Sequence, residues 1–302
     1  MAPLEHIERL VKAEHSNPGE FLGPHRTSVN EAQGIVIRAL APDASEAWIV
    51  PDIPGVKTVR MDRIHDSGLF ETVLDAPKGT PVYRIQVTDV QGTVTERHDP
   101  YSFPPMISDH DLHLFAEGRL FKAYETLGAH VRTVNGVTGI HFVVWAPNAK
   151  RVSVVGEFNR WDGRSHQMNS RKSTGLWELF IPNLPIGTLY KYEIRARSQE
   201  APFLKADPYA FAAELRPRTA SIVQDLSTYR WSDGDWMEDR SRLNPLTAPM
   251  SIYEVHLGSW MRAPEEGGRW LTYRELADKL LHYVKHMGYT HIELMPVTEH
   301  PF

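Results

Sequence analysis

Leu22-Gly23-Pro24-His25 returns as Leu127-Gly128-Ala129-His130, the first sign of a duplication. Downstream, Gly34-Ile35 returns as Gly139-Ile140, Ala41-Pro42 with Ala44 as Ala146-Pro147 with Ala149, and Val50 as Val155. The offset is 105 throughout, and eleven of 29 aligned positions are identical. Further on the offset drifts by two or three residues, as loop insertions would make it. Gly68-Leu69-Phe70-Glu71 matches Gly175-Leu176-Trp177-Glu178, and Asp99-Pro100-Tyr101 matches Asp207-Pro208-Tyr209. The first 230 or so residues are two copies of one module of about 100 residues.

Each copy carries short alternating runs bounded by Gly, Pro, Asp and Asn. In the first they are 35–40, 47–50, 69–74 and 82–87; in the second, 140–145, 152–155, 177–181 and 190–196. Short strands with regular turn signals indicate a β-sandwich. The expected organisation is mainly β: an N-terminal immunoglobulin-like sandwich over 1–105, a connection at 106–126, a second sandwich at 127–225 and a further connection at 226–249. Ahead of the first repeat, Leu4, Ile7, Leu10 and Val11 predict a short amphipathic helix ended by Asn17-Pro18-Gly19. The connections show no strong period, although Phe115–Tyr124 is expected to form a turn of helix.

The remaining segment, 250–302, follows a different pattern. Tyr253, Val255 and Leu257 alternate with Ile252, Glu254 and His256, a strand with one apolar face. Thr272 then opens a helix, with Glu275 completing a capping box. Tyr273, Leu276, Ala277, Leu280, Tyr283, Val284 and Met287 recur at helical spacing, and Gly288 supplies the left-handed residue that ends it. His291-Ile292-Glu293-Leu294-Met295 is a second strand. Strand, helix, strand is a βαβ unit, which builds parallel sheet by a right-handed crossover. Two strands do not complete such a sheet, so its remainder is expected beyond Phe302.

Composition narrows the chemistry. With 33 Lys+Arg against 38 Asp+Glu, net charge −5 and no basic block, nucleic acid and anionic membrane are poor partners. The absence of cysteine removes disulfides, thiolate metal sites and thiol nucleophiles. The N-terminus is too charged for a signal sequence and no run of about 18 apolar residues occurs, so a cytoplasmic location is expected. Eight tryptophans suit sugars, because an indole offers an apolar, electron-rich face to the C–H face of a pyranose.

One stretch of the second copy, Gly156-Glu157-Phe158-Asn159-Arg160-Trp161-Asp162-Gly163, has no counterpart in the first, where Pro51-Asp52-Ile53-Pro54-Gly55 stands. A difference between duplicates marks where one has kept a role. Trp161 is the candidate stacking platform, Asn159 a hydroxyl partner, and Lys191 a neighbour on an adjacent strand. The competing reading makes Trp161 a plug at the sandwich end and the surrounding residues a simple turn. Glu254, His256 and Glu293 on the parallel strands read as paired charges rather than as catalysts. His282 and His286 lack a metal-ligand context, and no metal or other cofactor is expected.

Several strings taken together resemble a known family. Tyr124 to His130, Trp145 to Ala149, Gly156 to Gly163, Ser251 to Trp260 and His291 to Phe302 closely resemble bacterial 1,4-α-glucan (glycogen) branching enzymes, and the resemblance covers the whole chain. It implies that the first copy is the extra N-terminal domain of that family and the second a family 48 glycan-binding module. The βαβ unit would then begin an α-amylase-type (β/α)₈ barrel. The implied partner is α-1,4-glucan or glycogen, and the implied full-length enzyme is monomeric. The implied reaction is a retaining glucanotransfer, in which an Asp nucleophile and a Glu acid/base on later barrel strands convert α-1,4 bonds into α-1,6 branches. Neither carboxylate maps onto these 302 residues, so the chain alone is expected to be inactive, with 250–302 prone to fray. Two neighbouring readings are a non-enzymatic glucan-binding module, against which the βαβ unit argues, and a trehalose-releasing hydrolase of the same superfamily.

Overall fold

A computed structural model describes residues 4–29, 32–52, 57–75, 82–199, 201–215 and 217–297. The chain divides into two compact units, Met1–Leu226 and Ser227–Phe302. Within the first unit, both copies fold as pairs of antiparallel sheets. In the first copy Gly23–Val29, Ala32–Leu40, Leu69–Asp75 and Asp62–His65 pair in that order, facing Val59–Arg60, Ala44–Pro51, Tyr83–Asp89 and Val94–His98. In the second, Gly128–Val134, Val137–Trp145, Leu176–Pro182 and Asn169–Ser170 repeat the first order. Ala149–Val155 pairs Leu189–Ala196 in the facing sheet, and Phe203–Lys205 and Ser221–Ile222 also pair with Leu189–Ala196. The mainly β sandwich expectation holds.

The identical residues of the repeat are the ones whose roles tolerate little else. Gly23 and Gly128 have φ of +85° and +103°, and a Cβ at either would lie 2.5 or 2.9 Å from the carbonyl oxygen of Tyr101 or Tyr209. Only glycine adopts that backbone without strain. His25 Nε2 lies 3.0 Å from the Leu22 carbonyl and His130 Nε2 2.9 Å from that of Leu127. Tyr83 donates to Asp99 Oδ2 at 2.6 Å and Tyr190 to Asp207 Oδ2 at 2.7 Å, all four buried. Each aspartate also takes the amide two residues on, from Tyr101 and Tyr209, which turns the chain out of the sandwich. Burial pushes both aspartates above the ordinary carboxylate range.

Alternate residues of the strands point inward. Ile35, Ile37, Ala47, Ile49, Phe70 and Ile85 fill the first core; Ile140, Phe142, Val152, Val154, Trp177 and Tyr190 are among those filling the second. One outer sheet face in each copy is covered too. Leu10 of the helix Leu4–Val11 packs with Phe21, Leu22, Leu40 and Leu69, while Ile107 packs with Leu127, Val143 and Leu176. Covering both faces is why every residue of Leu176–Pro182 is buried.

Three expectations need correction. The N-terminal helix stops at Val11, where Ala13 takes φ of +50°, before Asn17-Pro18-Gly19 is reached. The connection holds an α-helix at Asp109–Ala116 and a single 3₁₀ turn at Ala123–Glu125, so the helical turn expected over Phe115–Tyr124 is met only at the two ends of that range. Ser108 caps the α-helix by accepting from the Asp111 amide at 3.0 Å, and Leu112 and Phe115 pack against the Ile107 cluster. Gly234–Arg242 is helical as well, although none of its residues is buried. Its Glu238 and Arg242 pair one turn apart, a local support that apolar periodicity does not register.

The second unit contains the βαβ element. Ile252–Val255 and His291–Leu294 pair in parallel, Glu254 opposite Glu293, around the helix Tyr273–Met287. Thr272 and Glu275 form the capping box and Gly288, with φ of +78°, ends the helix. Leu280 and Val284 pack on Val255, with Tyr253, Trp260, Tyr289 and Ile292 around them. A short helix Leu257–Trp260 and the strand pair Arg262–Ala263 and Arg269–Trp270 fill the crossover.

Candidate functional site

The stretch unique to the second copy leaves the strand Ala149–Val155 at Gly156 and runs back along that strand's edge. Val154 donates to the His166 carbonyl at 3.0 Å and Met168 to that of Val152 at 2.8 Å. Between them the chain turns tightly. Asn159 and Trp161 both donate to the Gly156 carbonyl, at 3.1 and 2.9 Å, and Arg160 donates to that of Glu157 at 3.2 Å. Gly156 is required here because a Cβ would sit 2.3 Å from the Leu189 carbonyl oxygen.

Two consecutive residues that are not glycine, Arg160 and Trp161, have left-handed φ of 55° and 59°. Each costs about 1–2 kcal/mol against ordinary backbone, so the surrounding bonds must hold them there. Asn159 is the main restraint. It is buried, its Oδ1 accepts from the Gly156 amide at 3.0 Å, and its Nδ2 reaches the Val154 carbonyl at 2.9 Å and His166 Nδ1 at 3.0 Å. Both amide hydrogens are thus used inside the protein. Burial, with the Arg97 charge in support, holds His166 down to about 3, so the ring is neutral and its Nδ1 accepts the Asn159 hydrogen.

Trp161 is half-buried, and its Nε1 donates to Glu157 Oε1 at 2.9 Å, which fixes the indole plane. Arg160 reaches away to Asp43 of the first sandwich, at 3.4 Å. Lys191 stands directly across the strand pair from Val155, the residue before the turn, and its Nζ donates to Thr219 Oγ1 at 2.7 Å. Beneath the turn, buried Arg151 pairs with Glu193 and, with Ser153, donates to the Gly163 carbonyl. A Cβ on Gly163 would fall 2.0 Å from Glu193 Oε1, so a side chain there would have to displace the Glu193 carboxylate from Arg151.

The fold thus brings the backbone positions of Trp161, Asn159 and Lys191 to one end of one sheet. Trp161 and Lys191 are the accessible pair, whereas Asn159 is the internal clamp of the turn. Sequence reading missed Glu157, which orients the indole, and His166, which closes the clamp. The i, i+4 spacing of Glu157 and Trp161 was the one available signal. Glu254, His256 and Glu293 lie on the parallel strand pair or at its end, and Ser259 Oγ is 3.1 Å from His256 Nδ1. Among the described residues, no three His, Asp or Glu gather as a metal site, and no helix is long and apolar enough to cross a membrane.

Two family models match parts of this chain. Residues 3–101 match the family model described as alpha-1,4-glucan branching enzyme GlgB, N-terminal domain, and residues 126–210 match carbohydrate-binding module 48, the isoamylase N-terminal domain. The chain is 49% identical to the 1,4-alpha-glucan branching enzyme GlgB of Rubrobacter xylanophilus and 49% identical to that of Gloeobacter violaceus. In both cases the match covers 99% of this chain and 40% of the relative. To the corresponding protein of Rhodopirellula baltica it is 44% identical, over 99% and 40%. The chain therefore spans about two fifths of the length of the curated relatives it matches.

Proposed function

Because the chain belongs, along nearly its whole length, with the N-terminal region of the 1,4-alpha-glucan branching enzymes, we propose that it is the glucan-holding part of such an enzyme in glycogen synthesis. In this reading the whole enzyme cleaves α-1,4 bonds and rejoins them as α-1,6 branches, and these residues supply no catalytic carboxylate. The observation that carries the reading is the strained Arg160-Trp161 pair. A folded chain keeps two left-handed residues in succession only where bonds around them over-determine the turn, and here the result is an oriented, half-buried indole.

A pyranose stacked on that indole buries C–H surface, worth about 1–3 kcal/mol for a side chain of this size. Lys191 offers a hydrogen-bond donor to a ring hydroxyl without requiring a charged ligand. Asn159 contributes by holding the turn. The parallel strand pair 252–255 and 291–294 supports the barrel rather than performing chemistry. We take the whole enzyme as cytoplasmic and monomeric, acting without nucleic acid, membrane or metal.

Native electrophoresis tests the proposal. The chain is expected to be retarded in a gel containing glycogen relative to a plain gel, and to form no new α-1,6 linkages from amylose in a debranching assay. Equal mobility in both gels would refute glucan holding, and new branches would refute the placement of the chemistry outside these residues.

A further inference from the structure

The return leg of the Trp161 turn, residues 164–168, is held by the first sandwich as well as by its own strand. Tyr101, which ends the Asp99-Pro100-Tyr101 corner of the first sandwich, packs both with the Leu10 cluster and with the core of the second sandwich. Its hydroxyl donates to the Gln167 carbonyl at 2.9 Å. Tyr209, the duplicate of Tyr101, packs with the Ile107 cluster instead.

Gln167 is fully buried. Its Nε2 donates to the Arg164 carbonyl at 3.1 Å and reaches the Leu10 carbonyl at 3.4 Å, so one side chain spans the return leg and the N-terminal helix. The residues on either side of it, His166 and Met168, bond by their backbones to Val154 and Val152, and His166 Nδ1 closes the Asn159 clamp. Tyr101 is thereby linked to the strained pair through Gln167, His166 and Asn159 in turn. The strand Asn169–Ser170 that follows is tied the same way. Asn169 Oδ1 accepts from the Gly19 amide at 2.7 Å, and the Ser170 amide donates to the Ser16 carbonyl at 2.9 Å. The exposed Arg160–Asp43 pair adds little to this hold.

We propose that Tyr101 and Gln167 are positioning residues, through which the first sandwich holds the strained turn of the second and so sets how firmly Trp161 meets glucan. The consequence for glucan rests on the glucan-holding reading, whereas the hold itself does not. Strain is the physical reason. Arg160 and Trp161 are both left-handed, so the turn relaxes when a restraint is removed, and the apparent affinity falls by the fraction of chains still in the holding geometry. The duplication thereby gives the first sandwich a use of its own. It carries Pro51-Asp52-Ile53-Pro54-Gly55 in place of the turn, yet its corner supplies the hydroxyl that the turn of its neighbour takes up.

Tyr101→Phe removes the hydroxyl and keeps the ring. In the full chain without ligand it should lower hydrogen-exchange protection of the amides of 159–162, which the turn bonds, about fivefold, with protection in Val137–Trp145 unchanged. Maltoheptaose should then bind about threefold more weakly by calorimetry. Arg160→Gly frees a left-handed position of its strain and should restore both protection and affinity in the Tyr101→Phe chain, a repair that a general loss of packing would not receive there. Unchanged protection at 159–162, lowered protection with full affinity, or failure of Arg160→Gly to rescue would each overturn the proposal. A wild-type chain that binds no maltoheptaose would refute the glucan-holding reading, and with it the consequence for glucan, while protection at 159–162 would still decide the hold.

Discussion

Acidification should unfold this chain through His166, and the size of the effect follows from where that ring sits. His166 is 4% exposed, its Nδ1 faces the Asn159 amide, and burial holds it at about 3 against an ordinary 6.5. A histidine whose folded pKa lies below its unfolded value takes up a proton on unfolding, so acid favours the unfolded chain. No penalty exists above about pH 6.5, and it then grows by about 1.4 kcal/mol per pH unit until about pH 3. At about pH 4.5 the loss from His166 alone is about 3 kcal/mol, a large share of the stability of an ordinary domain. His15, held at about 4 chiefly by burial, adds in the same direction. Asp99 and Asp207, raised by burial, oppose it by taking protons in the folded state. Urea unfolding at a series of pH values between 6.5 and 4.5 therefore needs a His166→Gln reference. The wild-type slope should exceed that of the variant by about one proton, or about 1.4 kcal/mol per pH unit. Equal slopes would refute a neutral His166 closing the turn.

The same clamp predicts that Asn159→Ala strands the Val154 carbonyl, the Gly156 amide and His166, costing about 2–4 kcal/mol in denaturant unfolding and weakening glycogen retention with it. Gly23→Ala and Gly128→Ala should each lower stability by about 2 kcal/mol or more, the first more severely because its Cβ meets the Tyr101 carbonyl oxygen at 2.5 Å; thermal scans of both variants measure the order. Thr272→Ala removes the capping box of Tyr273–Met287 and should cost about 1 kcal/mol, with exchange increasing in the first turn of that helix and not in the sandwiches.

Much of the fold was legible because the repeat preserved residues with backbone duties. Gly23 and Gly128, the histidines that touch the carbonyl three residues back, and the Asp-Pro-Tyr corners are identical in both copies because few side chains do those jobs. The helix Asp109–Ala116 was not legible, since its stability comes from Leu112 and Phe115 meeting Ile107 and its partners rather than from its own pattern. At the turn, the sequence reading cast Asn159 as a hydroxyl partner, whereas the structure shows its amide bonded within the turn. Composition cannot reveal whether a turn amide faces outward or, as here, spends both hydrogens inside. The hold on Gln167 was invisible for a related reason: Tyr101 is 66 positions away and Leu10 is 157. Only the folded sandwiches bring them to one residue.

Calorimetric titration of the chain with maltoheptaose decides whether the strained turn presents Trp161 to glucan. Trp161→Ala should weaken binding by about tenfold or more while the unfolding midpoint changes less, since the lost indole is only half-buried and the clamp through Asn159 remains. An unchanged affinity in a stably folded Trp161→Ala variant would show that Trp161 does not hold glucan.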